Sequence, residues 1–156
     1  MQNIKLQLLI FLSIFFFFLL GIAEADRVAD LLSSESQILE TRKIEVEEGG
    51  YYTNVNAASL KAMLKKKDFL FINVHIPYEG EIEQTDLFIP FNEIEQNLNK
   101  LPANKDAKIF LYCRTDRMSI IAARTLVRLV YTNIWHLDGG MISWEKAGYQ
   151  LLHRVR

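Results

Sequence analysis

The sequence predicts an α/β domain: one mostly parallel central sheet of about five strands, with helices on both faces. Three observations predict it. Residues 69–74, 108–112 and 133–137 are short, nearly continuous apolar runs, and a run without alternation fits a strand covered on both faces, as in parallel sheets. Around them lie segments with apolar residues at helical spacing, and parallel strands need crossovers of that kind. Hydrophobic residues make up 50% of the 156-residue chain and charged residues 24%, which suits a chain with one folded core.

The elements follow in order from Tyr51. Asn56 is placed to cap a helix carrying Leu60, Met63 and Leu64, with Lys65, Lys66 and Lys67 in its last turn, where positive charge complements the helix dipole. The first apolar run, Phe69-Leu70-Phe71-Ile72-Asn73-Val74, comes next. Residues 75–90 lack periodicity and contain Pro77, Gly80 and Pro90, so they read as an ordered loop. Residues 92–101 read as a helix with Ile94, Leu98 and Leu101 on one side. After the second strand, residues 119–130 form a strongly apolar helix, with Arg124, Arg128 and the earlier Arg117 on one solvent-facing stripe. After the third, Gly139-Gly140 turns into a helix carrying Met141, Trp144 and Ala147, which Gly148 ends. Trp144 reads as a core anchor, His136 as a structural strand residue and His153 as solvated.

Upstream of this domain, residues 8–22 form an apolar run behind the single charge of Lys5, followed by Ala23-Glu24-Ala25 and a polar stretch from Asp26. A short positive region, an apolar core and small residues at the end make the secretory signal pattern. Extended to Leu6 and Gln7, the run nears the lower length of a membrane span, a tether through residues 6–22. Residues 1–25 are thus expected to be a signal peptide or N-terminal anchor, and the folded part to lie outside the cytoplasm, periplasmic or secreted. Residues 26–50, with Ser33, Ser34, Ser36 and five glutamates, read as an acidic linker, and residues 51–156 as the folded domain.

Charge and cysteine usage exclude several function classes. Lys+Arg 18 against Asp+Glu 19 gives a formal net charge of -1, where a nucleic-acid partner calls for a basic excess. One cysteine excludes an internal disulfide framework and any Cys-rich metal site. Three scattered histidines point to no dedicated metal centre, and Glu81, Glu83 and Asp86 lack the spacing of a calcium loop.

The chemistry is expected at Cys113. In a parallel α/β sheet ligands bind beyond the carboxyl ends of the strands, and Cys113 follows the second strand directly. The loop Cys113-Arg114-Thr115-Asp116-Arg117-Met118 leads into the helix near Ser119. Amides at a helix N-terminus, with Arg114 and Arg117 beside them, favour a thiolate and an oxyanion near it. The alternative is a small core thiol, the commonest state of an unpaired cysteine; the polar, doubly basic loop puts this one at its edge instead. His75 lies just past a strand's carboxyl end, near enough to reach the mouth, and is expected to pack or hydrogen-bond locally. Gly139 and Gly140 allow a tight turn near the loop.

Tyr112-Cys113-Arg114-Thr115-Asp116-Arg117-Met118-Ser119 resembles the active-site loop of rhodanese domains (thiosulfate sulfurtransferases), commonly C-R-S-G-x-x-S. The run Gly139-Gly140-Met141-Ile142-Ser143-Trp144-Glu145-Lys146-Ala147-Gly148 is similar to their G-G-x-x-x-W-x-x-A-G signature. The resemblance covers residues 51–153 and implies a single-domain, exported rhodanese-like protein with a three-layer α/β/α fold. It implies that Cys113 takes a sulfane sulfur from a small anionic donor such as thiosulfate, becomes a persulfide, and passes the sulfur to a thiol or cyanide. Arg114, Thr115, Asp116, Arg117, Met118 and Ser119 would form the substrate loop, with His75, Gly139 and Gly140 nearby, and no metal or organic cofactor. Cysteine phosphatases place an arginine six positions after the cysteine; here that position is Ser119, which reads instead as a helix cap or a bond within the loop. The sequence departs from the family in three places. Asp116 stands for a glycine; its charge opposes anion binding, although aspartate tolerates the left-handed backbone such a turn uses. Asn73 and His75 stand for an aspartate and an arginine, and Gly80-Glu81-Ile82-Glu83-Gln84-Thr85-Asp86 for the usual G-H-I-P-G-A. These departures motivate an alternative, a non-catalytic rhodanese-like binding or scaffold module. A thiol-redox sensor is a third reading, one that needs a partner to supply the resolving cysteine.

Overall fold

The three apolar runs become the centre of a six-stranded sheet. β3 (Leu70–Asn73), β5 (Ile109–Tyr112) and β6 (Ile134–Leu137) lie side by side and parallel, in the order β6-β5-β3. β2 (Tyr51–Val55) runs parallel beside β6, and β1 (Thr41–Glu45) pairs antiparallel with it at that edge. β4 (Leu87–Phe88) lies parallel to β3 at the other edge. This is a computed structural model that describes residues 41–47 and 49–154. The expected signal or anchor segment, residues 1–25, and residues 26–40 of the expected linker lie outside the described residues.

Alternation along the strands sorts the side chains onto two faces. Ile72, Ile109, Leu111 and Ile134 share one face with Ala122, Ala123, Leu126 and Val127 of α2 (Arg117–Arg128). Phe71, Phe110, Tyr112 and Leu137 share the other with Leu60 and Leu64 of α1 (Ala57–Leu64) and Met141 and Trp144 of α3 (Gly140–Lys146). The result is three layers, with every residue of β5 buried. That burial is why its sequence reads as an unbroken apolar run. Trp144 is a core anchor at 1% exposure, its indole N–H donating to the Gln150 carbonyl at 3.1 Å.

The structure corrects several expectations. The described end of the acidic linker is not a linker: β1 pairs with β2 from Thr41 opposite Val55 to Glu45 opposite Tyr51. An edge strand has one neighbour, so its side chains stay largely in solvent and its sequence stays polar. The loop read at residues 75–90 contains β4, too short for any pattern. Residues 92–101 are not an α-helix; Glu95–Lys100 is a 3₁₀ segment interrupted at Asn97 (φ -113, ψ 22). The changed pitch turns Leu98 outward while Ile94 and Leu101 stay buried.

Helix ends hold to the expected chemistry with shifted boundaries. Asn56 caps α1, its Oδ1 accepting from the Ser59 amide at 2.8 Å. The helix stops at Leu64, so Lys61 rather than the lysine triplet occupies its last turn. α2 begins at Arg117 and stops at Arg128. Two residues later Val130 takes a left-handed φ of 61, and the Tyr131 amide bonds back to the Leu126 carbonyl at 3.1 Å.

Candidate functional site

The strand-to-helix crossover after β5 builds the site. β5 ends at Tyr112, whose carbonyl accepts from the Val74 amide at 2.9 Å, and α2 starts at Arg117. Cys113 therefore stands just past the carboxyl end of the central strand, before a helix whose first-turn amides have no intrahelical partner. A second helix holds the loop from below: the Met141 and Ile142 amides of α3 donate to the carbonyls of Cys113 and Arg114 at 2.9 and 3.0 Å. Gly140, with φ 56, sits so close beneath that a Cβ there would stand 2.2 Å from the Thr115 carbonyl oxygen and 2.4 Å from that of Cys113. The glycine pair and the cysteine loop are thus one structural unit.

The thiol is not at the loop's edge, as the sequence suggested. Cys113 is 1% exposed and packs in the cluster with Ile72, Leu111 and Ala122. Its surroundings are not wholly apolar, however, because Ser119 Oγ lies 3.2 Å from Sγ. Ser119 bonds within the loop, also reaching the Asp116 carbonyl at 3.2 Å, and no side chain caps α2. Met118 is half-buried against the same core cluster, and Thr115 is exposed.

Asp116 keeps an ordinary negative φ of -129, so the loop reaches α2 without the left-handed residue expected there. Its carboxylate is engaged: Oδ1 accepts from the Gly139 amide at 2.6 Å and lies 3.6 Å from His136 Nε2. Gly139 itself takes φ 71 at the start of α3.

The two arginines differ. Arg117 is exposed and has no ion-pair partner among the described residues. Arg114 Nε meets Glu79 Oε2 at 3.0 Å, and Glu79 Oε1 lies 3.6 Å from His75 Nε2. Glu79 thereby draws the segment after β3 toward the cysteine loop. His75 is 8% exposed, and its two ring nitrogens have no hydrogen-bond partner among the described residues. Its backbone amide donates to Asn73 Oδ1 at 3.0 Å.

Sequence reasoning missed three residues beneath the loop. His136 is fully buried on β6, with Nε2 2.9 Å from Ser119 Oγ and Nδ1 3.0 Å from Asn54 Oδ1. Asn54 Nδ2 donates to Asp138 Oδ1 at 3.2 Å. Burial pushes the His136 imidazole below the ordinary histidine value, while Asp116 and Asp138 pull it back up. The sign of its effect on stability follows. With a folded value lowered from about 6.5, the unfolded chain binds the more protons below that pH, so stability falls as pH drops through it. Urea unfolding above and below that pH is expected to show this slope in the wild type and a shallower one in His136→Gln.

Residues 56–147 match the family described as rhodanese-like domain. The tRNA uridine(34) hydroxylase of Escherichia coli is 31% identical over 98 residues, which cover 59% of this chain and 28% of that protein. The chain thus spans only part of such relatives. A rhodanese-related protein of Thermoplasma volcanium superposes with a TM-score of 0.54 at 27% identity, covering 64% of this chain and 96% of the other. The thiosulfate sulfurtransferase of Pseudomonas aeruginosa gives 0.57 at 22% identity, covering 65% and 20%, a likeness of fold alone.

Proposed function

Because the chain belongs to the rhodanese-like domain family, we propose that it is a sulfurtransferase carrying sulfane sulfur on Cys113. The observation behind this reading is the placement of Sγ past the carboxyl end of β5, at the start of α2 and 3.2 Å from Ser119 Oγ. The thiolate attacks the outer sulfur of a donor such as thiosulfate. A new S–S bond forms at Cys113, the donor's own S–S bond breaks, and sulfite leaves with the electron pair. A thiolate or cyanide then attacks the outer persulfide sulfur, and Cys113 departs as thiolate. Arg117 and the first-turn amides of α2 would meet the donor's negative charge. The acceptor is taken as small rather than nucleic acid, since the formal net charge is -1. Action outside the cytoplasm is part of the proposal, resting on the apolar run 8–22 and Ala23-Glu24-Ala25.

The burial of Cys113 and the occupied Arg114 favour a second reading, a non-catalytic binding or scaffold module. The two readings part on one experiment. Incubated with thiosulfate, the full chain gains the mass of one sulfur if the first holds and none if the second does.

The first reading also assigns Glu79 a cost. It neutralises one of the loop's two guanidiniums, although a pair this exposed is worth only about 1 kcal/mol or less. Glu79→Gln is expected to lower the thiosulfate KM about fivefold, the equivalent of that energy, with kcat little changed. Steady-state transfer to cyanide measures both constants.

A further inference from the structure

A continuous chain of polar atoms runs from the buried sulfur to the surface: Cys113 Sγ, Ser119 Oγ, His136 Nε2 and Nδ1, Asn54 Oδ1 and Nδ2, Asp138 Oδ1. The successive separations are 3.2, 2.9, 3.0 and 3.2 Å. Its far end opens on a cavity of about 270 Å³ lined by Arg42, Asn54, Asn56 and Asp138. The members come from the cysteine loop, α2, β6, β2 and the turn after β6, so the topology gathers them from distant stretches of sequence.

The direction of the protons follows from the far end. Asp138 is a carboxylate and only accepts, so it takes the Asn54 amide hydrogen. That turns the Asn54 carbonyl oxygen toward His136 Nδ1, which must then carry the ring hydrogen. Nε2 is left as an acceptor, facing the Ser119 hydroxyl at 2.9 Å. The Ser119 hydroxyl is placed to donate to Sγ or to the Asp116 carbonyl, each at 3.2 Å; turned toward Nε2 at 2.9 Å instead, it leaves Oγ free to accept from the Cys113 thiol.

We propose that His136 is the proton acceptor for Cys113, acting through Ser119. As sulfur attacks its electrophile, the thiol proton passes to Ser119 Oγ and the serine proton to Nε2. The product is a thiolate, or the S–S bond it has formed, beside an imidazolium. Nε2–H then donates to Ser119 and the serine hydroxyl to sulfur. The imidazolium has two counter-ions, Asp116 Oδ1 at 3.6 Å and Asp138 through Asn54. Tyr52 of β2 meets the ring edge-on with centroids 5.8 Å apart, and the Arg124 charge on α2 bears on the Tyr52 hydroxyl. Burial keeps His136 neutral at rest, and Asp116 and Asp138 favour its charged form once the proton arrives.

This inference deepens the sulfurtransferase reading and is tested without sulfur transfer. Iodoacetamide, a small neutral electrophile, alkylates Cys113, and mass spectrometry follows the rate against pH in the full chain. His136→Gln and Ser119→Ala are each expected to slow the reaction at neutral pH about tenfold and move its pH midpoint up by about one unit. The double variant is expected to be no slower than either single one, since both cut one path. Asp138→Asn, at an exposed position, protects against a loss that is merely one of folding. Removing a nearby negative charge speeds thiolate formation by simple electrostatics, whereas loss of the group that orients Asn54 slows it about threefold. Unchanged profiles in the histidine and serine variants, or a faster Asp138→Asn, overturn the relay. A Cys113 that iodoacetamide never reaches while the protein is folded overturns both relay and proposed function. Relay behaviour without any sulfur uptake from thiosulfate leaves the relay standing and removes only the sulfurtransferase reading.

Discussion

Gly140→Ala is expected to destabilise the domain by roughly 3 kcal/mol or more and to cut sulfur uptake at least tenfold in the molecules that still fold. Two costs combine. Alanine at φ 56 sits in the left-handed region, and its Cβ would stand 2.2 Å from the Thr115 oxygen and 2.8 Å from the Arg114 carbonyl carbon. Both are backbone atoms, so no rotamer change relieves the clash; either the cysteine loop or α3 must move. Movement of either breaks the two amide-to-carbonyl bonds that seat Cys113 and Arg114 on α3. Gly148→Ala supplies the contrast. It has φ 85 but nothing within 4 Å of the added Cβ, so it carries backbone strain of about 1 kcal/mol and leaves the loop alone. Urea unfolding of the two variants, with thiosulfate-dependent mass gain on each, separates the loop's support from general strain. Equal effects at the two glycines would show that the G-G pair is only a turn.

The glycine pair was legible in the sequence as a turn near the loop, but its contact with Cys113 was not, because it depends on two strand-to-helix turns lying side by side. Much of the architecture was legible for a simple reason. β3, β5 and β6 are covered on both faces, and full burial writes itself as an apolar run. β2 escaped notice because Thr53 and Asn54 interrupt its apolar residues. These are buried polar residues, and Asn54 is there to meet His136 across the β2–β6 pairing, where the two stand in register. β1 escaped because an edge strand in solvent has the composition of a linker. His136 reads as structural in the sequence, since a lone histidine in a strand carries no spacing signal. The signal that could have found it is periodicity: it shares the Ile134 face, the one α2 covers, so it points toward the helix that begins beside Cys113. Glu79 gave no signal, because its partner Arg114 is reached only by folding the loop after β3 back over the sheet's end.

Cys113→Ser is expected to abolish the single-sulfur mass gain and to lower sulfur transfer on the order of a thousandfold or more. The exchange is nearly isosteric and keeps a group able to bond Ser119, so loop geometry is little disturbed. What changes is the nucleophile. A serine hydroxyl stays undissociated where a thiol ionises, and it would have to form an O–S bond in place of a persulfide. The chain holds one cysteine, so no second thiol can take up sulfur and mask the loss. Wild-type mass gain would therefore locate the carrier at a single atom. Cys113→Ala serves as a companion that removes the Ser119 contact as well, and cooperative unfolding of both variants checks that the fold persists. A scaffold module makes the opposite demand: wild type and Cys113→Ser would be alike in mass, and the 1% exposure of the thiol would mark a core residue. The sulfurtransferase proposal gives a use to the hydroxyl at 3.2 Å that is itself bonded to a buried imidazole, one that a thiol serving only to fill space does not need. Burying those two polar groups costs stability that an apolar pair of the same shape would not. The proposed proton relay is the use that would offset this cost.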